Sequence, residues 1–416
     1  MRKLAFALAR LQGGDAPLPA VLARPTAQSF SRALRGTGSF LLFGVLPLVL
    51  GVGLAYKLYD LGVFGFDFRG TLWQPGRDVL EGRVPYPLPR ADLVDGGNPS
   101  VYPPAVFLVT LPLALLPFGV AVGLWVAALA LGVVGALAAL GVRDWRCYTL
   151  ALGSAPVVLG ATFGNFTILL VLGAAVVWRW RNRLWLVALL VGALVAAKLF
   201  LWPLLVWLAV TRRWRAAAAA LAGSAAVVVT AWAVIGFDGL ADYPRLLQAV
   251  SDVYGQHSWS LVSGGVALGL SASLAAKVAL GAGLAILTWG VLIARRADGD
   301  RRSFSAALVA ALVASPIVWP FNFAFLLVPL ALLQPKLGKF WLAVPALWAA
   351  NSLPVPHAYP GRRCCRPLDD IPAAVWSTIH ARPPGAQIAA YMSVALIVLA
   401  LSALTVRKPV AGERSI

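Results

Sequence analysis

The chain has 416 residues, of which 60% are hydrophobic and only 12% charged, and its mean hydropathy is +0.81. That composition excludes a soluble multidomain protein, and apolar runs that are continuous rather than alternating exclude a β-barrel. The +19 formal charge, from 35 basic and 16 acidic residues, would suggest a nucleic-acid partner in a soluble chain. Here most basic residues stand at the ends of apolar runs, as they do in cytoplasmic loops of membrane proteins, so no nucleic acid is expected and membrane lipids are the partner.

Residues 1–37 carry Arg2, Lys3, Arg10, Arg24, Arg32 and Arg35 without a cleavable signal pattern, and read as a cytoplasmic arm with an amphipathic Leu4–Leu11. The first span, 38–57, then runs outward, and 58–100 form a polar outer loop rich in Pro and Gly. Within it, Trp73–Glu81 predicts a short interfacial helix with Gly82 as its left-handed cap, on which Asp78 and Glu81 face water or pair with Arg77 and Arg83. Asp67 lies before that helix, between Phe66 and Phe68. A carboxylate between aromatics is partly desolvated, which raises its pKa and suits a general base. A structural partner is the other use for a lone acid there.

Residues 101–117, opened by Tyr102-Pro103-Pro104, either cross the membrane or dip into it and return. The basic breaks decide between these: Arg143/Arg146, Arg179–Arg183, Arg212–Arg215, Arg295–Arg302 and Lys336/Lys339 all fall inside only if the segment dips. The remaining spans are expected near 119–141, 147–163, 166–178, 184–197, 199–211, 216–236, 275–294, 303–319, 320–334, 340–356 and 385–405. The expected fold is an all-α polytopic membrane protein of about twelve spans, several shorter than the ~20 residues of a perpendicular crossing. One transmembrane domain, 38–406, would carry outer loops near 58–118, 237–274 and 357–384 and a cytoplasmic tail at 407–416, with both termini inside.

Polar residues gather on the outer side of this plan. Asn165 sits in a turn between two apolar helices, and its amide needs backbone or sugar hydroxyls as partners. Lys198 stands alone in an apolar stretch, where it either snorkels to water or neutralises a lipid phosphate. The run Tyr254-Gly255-Gln256-His257-Ser258-Trp259-Ser260 offers aromatic faces beside amide and hydroxyl groups, which serve as interfacial anchors or as a sugar platform. Ser315–Asn322, with Trp319 and Pro320, breaks a helix near the outer face; Arg362, Arg363 and Arg366 make a further outer basic cluster. Cys147, Cys364 and Cys365 give no disulfide framework and no metal spacing. No P-loop, dinucleotide fingerprint or nucleotide-sugar domain is present, so a donor would arrive through the membrane.

These pieces, in order and spacing, resemble glycosyltransferase family 87, GT-C-type mannosyltransferases of actinobacterial envelopes that use polyprenyl-phosphate mannose. The resemblance runs over roughly 40–335: Asp67-Phe68-Arg69, Gly76-Arg77, Gly82, Pro85-Tyr86, Tyr102-Pro103-Pro104, Trp125, Gly164-Asn165, Lys198, Pro203, Arg212–Arg215, His257–Leu261 and Ser315–Trp319. Where the family often shows His-Tyr, this chain has Phe321-Asn322. The resemblance implies a GT-C-type bundle in which the first outer loop is catalytic and Asp67 is the base. On this reading Lys198, with Arg69 or Arg77, holds the donor phosphate. Tyr102, Asn165, Gln256, His257, Ser258, Trp259, Trp319 and Asn322 would contact sugar or acceptor. It implies a polyprenyl-phosphate sugar donor and a glycolipid or lipoglycan acceptor; the sequence holds no convincing metal cluster, so no metal or other cofactor is expected. A lipid or glycan transporter and a non-catalytic envelope scaffold are the alternatives.

Overall fold

The computed structural model describes Leu34 and residues 36–86, 100–255, 257–296, 298–350 and 385–404. The basic arm before Leu34, Gln256, the Arg362–Arg366 cluster with its two cysteines, and the tail lie outside them. Among the described residues all regular structure is helical. Five of the described helices are long and apolar enough to cross a membrane: α1 (Gly36–Asp60), α5 (Phe118–Ala139), α11 (Trp214–Val234), α14 (Ala272–Ile293) and the C-terminal Gly385–Leu404, apolar over Gln387–Leu404. The protein is an all-α membrane protein.

After α1 the first loop is helical almost from its start. Phe66–Phe68, a π-turn Arg69–Trp73 and Gln74–Leu80 follow without a break and form α2. Asp67 therefore lies in the first turn of this helix, not before it. The Thr71 hydroxyl, which donates to the Asp67 carbonyl at 2.6 Å, ties the first turn to the widened one. The expected cap is present, with Gly82 at φ 69°. The expected surface pairing is present too: Arg77 meets Glu81 at 3.1 Å and Arg83 meets Asp78 at 2.6 Å.

The segment that could cross or dip contains α3 (Pro104–Val109) and α4 (Leu111–Ala114). Ten helical residues span about 15 Å, half the hydrocarbon thickness. Its two ends belong to one aromatic column: Phe118 stacks on Phe68 (6.3 Å), Phe68 on Trp125 (5.6 Å), Trp125 on Phe166 (6.1 Å), and Tyr102 meets Phe166 edge-on (6.1 Å). The segment enters and leaves at the same end of the bundle.

The single span expected over 147–163 is two helices, α6 (Trp145–Leu152) and α7 (Ala155–Phe163). Pro156 cannot donate to a continuous ladder, and Gly153 lies so close to the Pro47 carbonyl of α1 that a Cβ there would collide with it. Next come α8 (Thr167–Arg179), α9 (Leu184–Ala197), a 3₁₀ turn Leu199–Leu201, and α10 (Pro203–Val210). Beyond α11 lie α12 (Tyr243–Tyr254) and α13 (Leu261–Ala267), then α14, α15 (Gly299–Ala314), a 3₁₀ stretch Pro320–Leu326, α16 (Leu327–Leu333), α17 (Ala343–Ala350) and the C-terminal helix, α18.

Small residues set the close crossings, as they do where helices cannot gain from the hydrophobic effect in lipid. Gly132 and Gly135 of α5 face Leu169 and Leu172 of α8, so these two helices run parallel. Gly283 and Gly290 of α14 face Ala314 and Ala306 of α15, so that pair is antiparallel.

The basic loops gather at one end. Asp300, opening α15, accepts from Arg181 after α8 (3.0 Å), from Arg213 before α11 (2.9 Å) and from the Trp207 indole (3.0 Å). Asp144, after α5, accepts from the Leu337 backbone N–H at 3.0 Å. Because α5 and α8 are parallel, both groups lie at the same end. All five basic breaks are thus together, opposite the aromatic column.

Candidate active site

Asp67, Asn165, Lys198 and Tyr102 meet at the end away from the basic loops. The turn after α7 is what allows it. Gly164 has φ 72°, its N–H donates to Ala161 and that of Asn165 to Gly160 (2.7 Å), which is a Schellman closure. A Cβ at Gly164 would lie 2.6 Å from Phe68 Cβ, so the turn packs directly on α2 beside Asp67. The Trp125 indole donates to the Gly164 carbonyl at 2.8 Å and fixes the turn to α5.

The Asn165 amide donates from Nδ2 to Asp67 Oδ2 at 2.7 Å. Its Oδ1 accepts the Thr167 backbone N–H at 2.9 Å. A backbone N–H can only donate, so it dictates which way the amide faces: the NH₂ group must point at the carboxylate. At the far side of the same turn the Lys198 ammonium donates to Thr167 Oγ1 at 2.5 Å. Lys198 follows α9 in extended backbone (φ −147°, ψ 102°), which ends the helix and sends the side chain back towards α8.

Tyr102 closes the group. The Lys198 ammonium stands 5.5 Å from its ring centre. Burial pushes the phenol well above its ordinary pKa; the Asp67 carboxylate adds to the rise, and hydrogen bonds from the Asn165 and Thr167 side chains oppose it. The phenol thus stays protonated. Tyr102 itself is held by the Tyr86 hydroxyl, which donates to its carbonyl at 2.8 Å, and by Tyr243 of α12, which donates to the Val101 carbonyl at 2.8 Å. Residues 58–118 and 237–274 are therefore joined at the site.

Of the other expected cations, Arg69 lies 4.1 Å over the Phe118 ring, in the column beneath Asp67. Arg77 is committed to Glu81 on the exposed side of α2, with its guanidinium 5.3 Å from the Trp73 ring.

The remaining expected residues form a second cluster. Trp319 lies between Tyr254 (6.1 Å) and Trp259 (6.0 Å), and the Trp259 backbone N–H donates to Val318 at 2.6 Å. Several of its polar groups serve the backbone rather than an open face. Asn322 Oδ1 accepts the Trp319 N–H at 3.0 Å, and the buried Ser258 hydroxyl donates to Ser260 Oγ at 2.9 Å, which in turn caps α13. The His257 side chain is half-buried, and Gln256 lies outside the described residues. The second cluster abuts the first through α7, where Gly160 faces Phe321.

Glycosyltransferase family 87 is matched over residues 101–320, a stretch that contains Tyr102, Asn165, Lys198 and Trp319 and begins after Asp67. The chain belongs to glycosyltransferase family 87. A relative, the polyprenol-phosphate-mannose-dependent alpha-(1-2)-phosphatidylinositol pentamannoside mannosyltransferase of Mycolicibacterium smegmatis, is 31% identical over 315 residues, 65% of this chain and 73% of the relative. No solved structure matches the chain. In this family 87 glycosyltransferase, Thr167 joins the site although nothing in the sequence singles it out. A threonine opening an apolar helix reads as a cap, and only its spacing of two from Asn165 hints at the shared turn.

Among the described residues no group of three His, Cys, Asp or Glu could hold a metal ion. The chemistry at hand is an oriented carboxylate and a half-buried ammonium joined through one hydrogen-bonded turn, with a neutral phenol beside them.

Proposed function

We propose that this glycosyltransferase is an inverting mannosyltransferase of GT-C-type architecture, with about twelve spans, several of them shorter than a ~20-residue crossing. Its donor is a mannosyl polyprenyl phosphate and its acceptor a glycolipid or lipoglycan on the outer face of the membrane. The donor assignment draws on the relative's printed specificity. The facing draws on the gathering of five basic breaks at the opposite end of the bundle, which the positive-inside tendency puts in the cytoplasm.

One observation carries the chemical reading: Asn165 aims Asp67 at 2.7 Å while Lys198 is anchored across the same turn. The acceptor hydroxyl gives its proton to Asp67 as its oxygen bonds to the anomeric carbon from the face opposite the phosphate. The C–O bond to phosphate breaks with its electron pair going to the phosphate oxygen. A single displacement inverts the anomeric configuration. Phosphate is a competent leaving group, so no acid is needed, and the Lys198 ammonium balances the charge it gains. Arg69 is the nearer second cation; Arg77, engaged with Glu81, plays no part in this reading. Tyr102 supplies a neutral hydroxyl, and the Trp259–Trp319 cluster offers aromatic faces to a sugar ring.

Asp67→Asn keeps the shape and the Asn165 contact but removes the base. General-base contributions of this kind are on the order of a thousandfold, so radiolabel transfer from polyprenyl-phosphate mannose to envelope glycolipid is expected to fall by about that factor, with donor binding retained. Transfer at the wild-type rate by Asp67→Asn would overturn the assignment.

A further inference from the structure

We propose that Thr167 is a positioning residue that keeps the phosphate-binding cation and the base apart at a fixed spacing, by holding Lys198 through its hydroxyl and Asp67 through its backbone N–H and Asn165. The inference rests on the reading of Asp67 as base and Lys198 as phosphate holder, and adds to it a residue with no charge and no place in the chemistry itself.

The geometry behind it is a chain of four hydrogen-bonding groups. Lys198 Nζ donates to Thr167 Oγ1 at 2.5 Å, the Thr167 N–H donates to Asn165 Oδ1 at 2.9 Å, and Asn165 Nδ2 donates to Asp67 Oδ2 at 2.7 Å. Thr167 is fully buried and Asn165 is 6% exposed, so the two residues at the middle of the chain lie away from water. An ammonium has three donors and no acceptor, whereas a hydroxyl both accepts and donates. Having accepted from Lys198, Thr167 still has a proton to give.

Burial acts against the Lys198 charge, and the Asp67 carboxylate opposes that loss by attracting the ammonium. In a site of low dielectric that attraction grows, and a cation free to move would close onto the carboxylate. A closed ion pair is a poor base, because the ammonium stabilises the ionised carboxylate. It is also a poor phosphate site, because its charge is already neutralised. A neutral acceptor beside the ammonium holds it back without cancelling its charge. Thr167 sits at the first residue of α8, so the helix itself sets where that acceptor lies.

The test compares Thr167→Val with Thr167→Ser in the full-length protein purified in detergent. The probe is synthetic polyprenyl-phosphate mannose, with an envelope glycolipid extract as acceptor. Valine keeps the volume, the β-branch and the backbone N–H, but deletes the oxygen. The expected result is a fall in kcat of about ten- to a hundredfold for Thr167→Val. The acid limb of its pH profile is also expected to move to lower pH, because the released ammonium lowers the Asp67 pKa. Thr167→Ser should restore both. Melting temperature and monodispersity of the two variants report on folding separately. Wild-type kcat and an unmoved acid limb in Thr167→Val would overturn the proposal. So would a Thr167→Ser variant as impaired as the valine one, which would point to packing by the methyl group. If Asp67→Asn is inactive while Thr167→Val behaves as wild type, only the spacing role falls. If Asp67→Asn is active, the functional reading falls and this role with it.

Discussion

Asp67 owes its hydrogen bond from Asn165 to a glycine ninety-seven positions away. The Gly164 turn can approach α2 only because it lacks a side chain, and its left-handed φ of 72° presents Asn165 to the carboxylate. Gly164→Ala would bring a Cβ to 2.6 Å of Phe68 Cβ and strain the backbone as well. We expect it to destabilise the fold by about 1–3 kcal/mol and to weaken transfer together with stability. Parallel melting curves and transfer assays check this; an Ala variant with unchanged melting temperature would show that the turn tolerates displacement. Asp67, Asn165 and Lys198 are legible in the sequence as polar residues in apolar surroundings. Their mutual contacts are not, because α2, the turn after α7 and the end of α9 are separated by long stretches of chain.

At the scale of elements, the broken and shortened helices have local causes. Gly153 and Pro156 split α6 from α7, and the extended Lys198 followed by Pro203 splits α9 from α10. The loop after α5 is clamped differently, by charge. Asp144 takes the Arg146 guanidinium and two backbone N–H groups, Leu337 and Arg146, and these contacts hold its carboxyl down at about 2. A depressed carboxylate pKa contributes stability above the ordinary carboxylate value of about 4, and that stability is lost as pH falls through about 2. The melting-temperature gap between wild type and Asp144→Asn should therefore be widest above pH ~4 and close towards pH ~2. A gap constant over that interval would mean that the carboxylate charge does not secure the loop.

For the whole molecule, charge and chemistry are segregated to opposite ends. Asp300 gathers Arg181 and Arg213 into one cluster at the basic end, with Trp178, Trp207 and Phe304 packed beneath it. The site with Asp67 lies at the other end. In a cysteine-free background, a cysteine at position 67 should react with a membrane-impermeant thiol reagent in intact cells, and one at position 181 only after permeabilisation. Labelling of both positions from the same side would break the topology on which the outer-face assignment depends.

Composition and the spacing of basic residues were enough to determine an α-helical membrane protein and to predict the common end of the basic breaks. Those features follow from burying backbone amides in lipid and from charge at the membrane surface, and both act locally along the chain. The structure alone decided that α2 is helical from Phe66, that Asn322 and Ser258 serve backbone and capping contacts, and that Thr167 lies between Lys198 and Asn165. The contacts of Lys198 with Thr167 and of Asn165 with Asp67 depend on which helices lie side by side, and close approach at small residues such as Gly132, Gly164 and Gly283 sets that arrangement without leaving a periodic pattern in the sequence.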